Sequence, residues 1–80
     1  MANDLVWDRR MVETFKAAAI LTEEEEIVLD DWTKGKSIVN TSMMRSMSER
    51  KVNYIRKNIR MKYDRVQVYT QELPKRITRS

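Results

Sequence analysis

Arg50, Lys51, Arg56, Lys57, Arg60 and Lys62 fall within the stretch SMSERKVNYIRKNIRMKY, residues 46–63, which carries a single acid, Glu49. Asn53 and Tyr54 lie among them. These side chains suit contact with a polyanion: cationic groups neutralise phosphates, Arg or Lys can read guanine, and Asn can read adenine. The apolar residues of the stretch, Val52, Ile55, Ile59 and Tyr63, recur three or four apart. That is the period of a helix with one buried side. Two readings follow: a soluble helix with a charged outer face, or a helix built to lie on a polyanion. Val52, Ile55 and Ile59 are core residues on either.

Other chemistry is restricted by composition. The chain has no His and no Cys. This excludes disulfides, thiolate chemistry, the usual zinc sites and the commonest general base. Carboxylates, Lys and Tyr remain, but no pair of them forms a recognisable site. We therefore expect no enzymatic activity and no cofactor. The acidic run Glu23–Glu26 is better suited to the first turn of a helix, whose dipole it complements, than to calcium. No turn-forming Gly or carbonyl loop follows it to complete a calcium site.

Eighty residues suffice for one small domain with a compact core. The net charge of +4 is unevenly distributed. Residues 1–44 carry five Lys/Arg against nine Asp/Glu, or −4, whereas residues 45–80 carry eleven against three, or +8. Such asymmetry pairs an acidic half with a half suited to nucleic acid or an acidic surface. No apolar run approaches the ~20 residues that span a bilayer. The opening MANDLVWDRR has neither the positive start nor the apolar middle of a signal peptide. No membrane association is expected, and the expected location is cytoplasmic or its viral equivalent.

The elements that must position the basic residues are helical, because Gly35 and Pro74 are the only Gly and Pro. A first helix is predicted from Asn3 or Asp4 to about Ala19, with Leu5, Val12, Phe15 and Ala19 as its apolar stripe and Trp7, Met11 and Ala18 beside it. Thr22 and Glu25 match a capping box opening a second helix, in which Val28, Leu29 and Trp32 face inward. Gly35 stands where a left-handed residue terminates it. Ser37 can cap a short third helix, with Ile38, Val39, Ser42 and Met43 as candidate core. Ser48 caps a long fourth helix that ends before Pro74. Past Tyr63 the spacing of Val66 and Thr70 still fits a helix, although RVQVYT also alternates like a strand. The Met residues are expected to be adaptable core filler.

The expected fold class is all-α: a compact helix-turn-helix bundle of about four helices with a long C-terminal recognition helix. Residues 1–73 form the domain, with an N-terminal extra helix at about 4–19, the motif at 21–63, and residues 74–80 as a basic tail.

The motif carries a family resemblance. Leu21, Thr22, Val28 and Leu29, then Gly35 and Ser37, then Ser48, Glu49, Val52 and Ile59 are spaced as in the LuxR/GerE-type and sigma-factor region 4 helix-turn-helix. The resemblance spans residues 21–63 without a gap, and phage and mobile-element regulators carry similar reduced versions. It implies that Ser48 caps the recognition helix and that Val52 and Ile59 anchor it. It also places Glu49, Arg50, Lys51, Asn53, Tyr54, Arg56 and Lys57 toward a DNA major groove. A major groove admits one helix, whose exposed side chains reach base edges. Arg50 or Lys51 would then read guanine and Asn53 adenine. Arg56, Lys57, Arg60 and Lys62 would hold phosphates, with a further phosphate contact from Lys36 or Ser37.

The chain departs from this pattern on the supporting helix, where Thr41 and Arg45 stand in place of apolar residues. Either that helix is rotated, so that Val39, Ser42, Met43 and Met47 pack inward, or Arg45 emerges at the surface. The turn carries Ser46 and Met47 where Gly is common.

The leading expectation is a sequence-specific double-stranded DNA-binding regulator of transcription. The rival is a non-enzymatic adaptor or inhibitor on the same scaffold, docking on RNA polymerase or another nucleic-acid enzyme. Val66, Val68, Tyr69 and Leu73 are more apolar than a lone helix end requires. They point either to packing on the first helix or to a homodimer.

Overall fold

The computed structural model describes residues 7–70 and 73. Four helices follow one another: α1 (Arg9–Ala18), α2 (Glu23–Thr33), α3 (Ile38–Arg45) and α4 (Glu49–Gln67). The described residues contain no strand, so the fold is all-α. The other three helices pack on α4.

α1 begins later than its sequence pattern suggested. Asp8 is extended (φ −118°, ψ 172°), and its carboxylate accepts the Met11 amide at 2.8 Å. That cap fixes the helix start and leaves Trp7 outside the helix, free to turn into the core. The expected caps Asn3 and Asp4, and the stripe residue Leu5, lie outside the described residues. Met11 and Phe15 are buried on α1, whereas Ala18 is exposed.

The start of α2 is the expected capping box. Thr22 Oγ1 accepts the Glu25 amide at 3.2 Å, and the Glu25 carboxylate accepts the Thr22 amide at 3.0 Å. At its other end the Gly35 amide donates to the Trp32 carbonyl and the Lys36 amide to the Asp31 carbonyl, both at 3.0 Å. This is a Schellman closure, and Gly35 takes the left-handed conformation it needs (φ +84°).

The core is one cluster: Met11, Phe15, Val28, Leu29, Val52, Ile55, Ile59, Tyr63 and Leu73. Trp7 lies against it, with its ring centroid 5.6 Å from Phe15, 5.7 Å from Trp32 and 5.7 Å from Tyr63. The contacts to Trp32 and Tyr63 are edge-to-face, the geometry favoured by the ring quadrupole. Burial pushes the Tyr63 phenol above its ordinary pKa, and the Asp64 charge adds to the rise. α4 runs as a helix to Gln67. The chain then turns at Val68 and Tyr69, and Leu73 returns to the core, its carbonyl accepting from Gln67 Nε2 at 3.3 Å.

The orientation of α3 settles the choice left open by Thr41 and Arg45. Thr41 is fully buried and Ile38 packs against the core, whereas Val39 and Met43 are 48% and 74% exposed. The helix is therefore not rotated, and Val39 and Met43 are not core residues. Among the described methionines only Met11 and Met47 join the packing, while Met43, Met44 and Met61 are exposed. The Thr41 hydroxyl has no hydrogen-bond partner among the described residues. A buried polar group without a partner is costly. Thr41→Val keeps the shape and is expected to raise stability by about 1 kcal/mol, read from urea denaturation.

Candidate nucleic-acid interface

The turn between α3 and α4 aims the basic helix. Ser46 adopts the left-handed conformation (φ 55°, ψ 42°), doing without the Gly usual at such a site. Ser42 closes the turn twice: its carbonyl accepts the Met47 amide at 3.0 Å, and its hydroxyl donates to the Met47 carbonyl at 2.6 Å. Ser48 then caps α4, its Oγ accepting the Lys51 amide at 3.0 Å.

A buried ion pair braces α3 from beneath. Asp31 is fully buried, and Arg45 reaches it from the surface with two hydrogen bonds, Nε to Oδ2 at 3.0 Å and Nη2 to Oδ1 at 2.9 Å. The fork-shaped donor matches both carboxylate oxygens. Hydrogen bonding from Arg45 holds the Asp31 carboxyl below its ordinary pKa despite burial, and raises the Arg45 pKa in turn. In Glu25, burial favours the neutral form. Hydrogen bonds from Lys62 and the Thr22 amide outweigh it, so this pKa is lowered too.

A carboxyl whose folded pKa is depressed stabilises the fold above its unfolded pKa, about 4, and loses that contribution as pH falls through the folded value. The melting temperature is therefore expected to be flat from neutrality to about pH 5 and to fall below about pH 4. Asp31→Asn should start less stable and show a shallower acid decline in circular-dichroism melts.

The basic residues of α4 divide according to their side of the helix. Val52, Ile55, Ile59 and Tyr63 are buried along one side. Arg50, Asn53, Tyr54 and Lys57 stand at positions i, i+3, i+4 and i+7, and all four are exposed. They extend over about 10 Å of helix. Tyr54 is 63% exposed and so projects outward rather than covering the core. Arg50 and Lys57 make no ion pair among the described residues.

Other expected contacts are engaged elsewhere. Arg56 is not on the outer face: it is buried, its guanidinium lies 4.6 Å from the Trp32 ring centroid, and Nη2 donates to the Lys36 carbonyl at 2.9 Å. It ties α4 to the turn between α2 and α3. Arg60 is half-buried, 5.7 Å from the same ring. Lys62, expected on phosphates, instead holds the buried Glu25 carboxylate at 2.6 Å and the Ile20 carbonyl at 2.8 Å. Lys51 is exposed but turns toward α2, pairing with Glu24 at 2.8 Å. Lys36 is half-buried beside this strut, and the exposed Ser37 caps α3 by accepting the Asn40 amide at 3.0 Å.

The acids of α2 thus take up several of the cations. Besides Glu24, Glu25 and Asp31, Asp30 binds Lys16 at 2.7 Å. No short sequence pattern links Asp31 with Arg45, Glu24 with Lys51 or Glu25 with Lys62, which pair only through packing. Only Glu25, at a capping-box position, carried a local sequence signal. Among the described residues no group of three or more His, Cys, Asp or Glu could hold a metal ion, and no helix is long and apolar enough to cross a membrane. Comparison with protein-family models, curated proteins and solved structures gives no match to the chain.

Proposed function

We propose that the domain is a double-stranded DNA-binding regulator, acting in transcription, with α4 as its recognition helix. One observation carries this reading: Arg50, Asn53, Tyr54 and Lys57 form a single exposed stripe at the capped start of the basic helix. The short braced α3 and its three-residue turn set that stripe in the manner of a helix-turn-helix. Arg50 reads a guanine edge, Asn53 an adenine edge, and Lys57 holds phosphate. Tyr54 offers an apolar ring to the groove. Ser37, Ser48 and Lys36, near helix starts, and the half-buried Arg60 supply backbone contacts at the margins. Lys51 joins them on leaving Glu24. This assignment resembles the LuxR/GerE and sigma region 4 arrangement and needs neither chemistry nor a cofactor.

Titrating a labelled duplex at increasing salt tests it. Binding should weaken by about 0.9 log units per log unit of salt for each phosphate contact. Absence of duplex binding by the folded chain at low salt would overturn the proposal.

A second reading, docking on RNA polymerase or another protein, is favoured by one feature. Val39, Met43 and Met44 are all exposed on the eight-residue α3. A pull-down that recovers a stoichiometric protein through Met43, with no duplex retained, would select it.

A further inference from the structure

At the other end of α4 lies a patch that the DNA reading does not use. A hollow of about 230 Å³ is lined by Ala18, Ala19, Ile20, Lys62, Arg65 and Val66. Ile20 stands at its edge, 91% exposed, a large apolar side chain left in water at the junction of α1 and α2. Tyr69 follows Arg65 by four residues and is 85% exposed. Met61 and Val68, one turn before and just under one turn after Arg65, are 53% and 73% exposed. Met61 and Arg65 neighbour one another on the surface of α4, and Val68 and Tyr69 form the turn that directly follows its last residue, Gln67.

From this arrangement we infer that the patch is a homodimer interface, occupied by a second copy of the chain. Protrusion and hollow occur on the same surface, as an isologous two-fold contact requires: Ile20 of each protomer can enter the hollow of its partner. Lys62, the cation within the hollow, is already neutralised by Glu25, so a partner need not supply an acid to it. Arg65 can lay its stem along the apolar surface and keep its guanidinium in water.

The available area fits a weak dimer. Burying Ile20, Met61, Val68 and Tyr69 removes roughly 500 Å² per protomer, or about 1,000 Å² in the pair. That is the lower bound for a specific interface. The patch is also well placed. Arg50 lies about 22 Å from Arg65 along the helix, so a two-fold axis through the patch carries the two Arg50–Lys57 stripes to opposite ends. Half-sites about one helical turn apart demand such a separation. The dimer itself does not depend on the DNA reading.

Sedimentation equilibrium of the full chain without DNA, over the micromolar-to-millimolar range, tests the inference. The mass should rise with concentration from the 9.6 kDa of one chain toward twice that value. Ile20→Glu and Tyr69→Glu should each weaken association at least about tenfold. Their helical circular dichroism should be unchanged, since both side chains lie outside the core. Val39→Glu, on the exposed face of α3, should leave association intact. A mass of one chain at all concentrations would overturn the inference. So would an Ile20→Glu variant that associates as tightly as the parent, or dimerisation abolished by Val39→Glu alone.

Discussion

Replacing Arg50 and Lys57 together with alanine is expected to weaken duplex binding about a hundredfold at moderate salt, while stability moves by less than about 0.5 kcal/mol. Both side chains are exposed and belong to no ion pair among the described residues, so no described ion pair is lost with them. The single substitutions should separate their roles. On the proposed DNA reading, Arg50→Ala should relax preference at one position of the target. On the same reading, Lys57→Ala should weaken all sequences alike and lower the salt slope by about 1. Arg56→Ala provides the contrast. Its guanidinium lies over Trp32 and donates to the Lys36 carbonyl, so its loss should lower the melting temperature first and binding only in consequence. Anisotropy titrations paired with melts would resolve these outcomes.

The second large effect concerns the core. Phe15→Ala is expected to cost about 3–5 kcal/mol and leave much of the population unfolded at room temperature. Phe15 is fully buried and meets Trp7 and Tyr63 at 5.6 Å each, so truncation opens a void at the centre of the aromatic cluster. An 80-residue domain has little stability to lose. Urea denaturation followed by circular dichroism and by the fluorescence of Trp7 and Trp32 would measure the effect.

The features legible in the sequence are local ones. Thr22 with Glu25, Ser37 and Ser48 cap the helices as their spacing implies, and Gly35 takes the left-handed position. Each involves residues within one turn of each other, so a short pattern specifies it completely. The period of Val52, Ile55, Ile59 and Tyr63 likewise fixed the buried side of α4.

The misread features depend on distant partners. On an eight-residue helix, Val39 and Met43 compete with Thr41 for the inward face on hydropathy alone. Thr41 prevails because Arg45, on the same side, has Asp31 fourteen positions earlier in the chain to meet it. Arg56 and Lys62 look like their basic neighbours in sequence. Their different roles come from Trp32 and Glu25 on α2, brought close only by the packing of α2 on α4. The same packing draws Lys51 toward Glu24 and leaves Arg50, Asn53, Tyr54 and Lys57 as an exposed stripe at the helix start.

The central claim is that this stripe reads duplex DNA, and selection from a random double-stranded library tests it most directly. With the folded parent chain, the claim predicts enrichment of a short motif containing guanine and adenine. The guanine preference should vanish in Arg50→Ala and the adenine preference in Asn53→Ala. Failure of the parent to enrich any sequence, or an enriched motif unchanged in both variants, would contradict it.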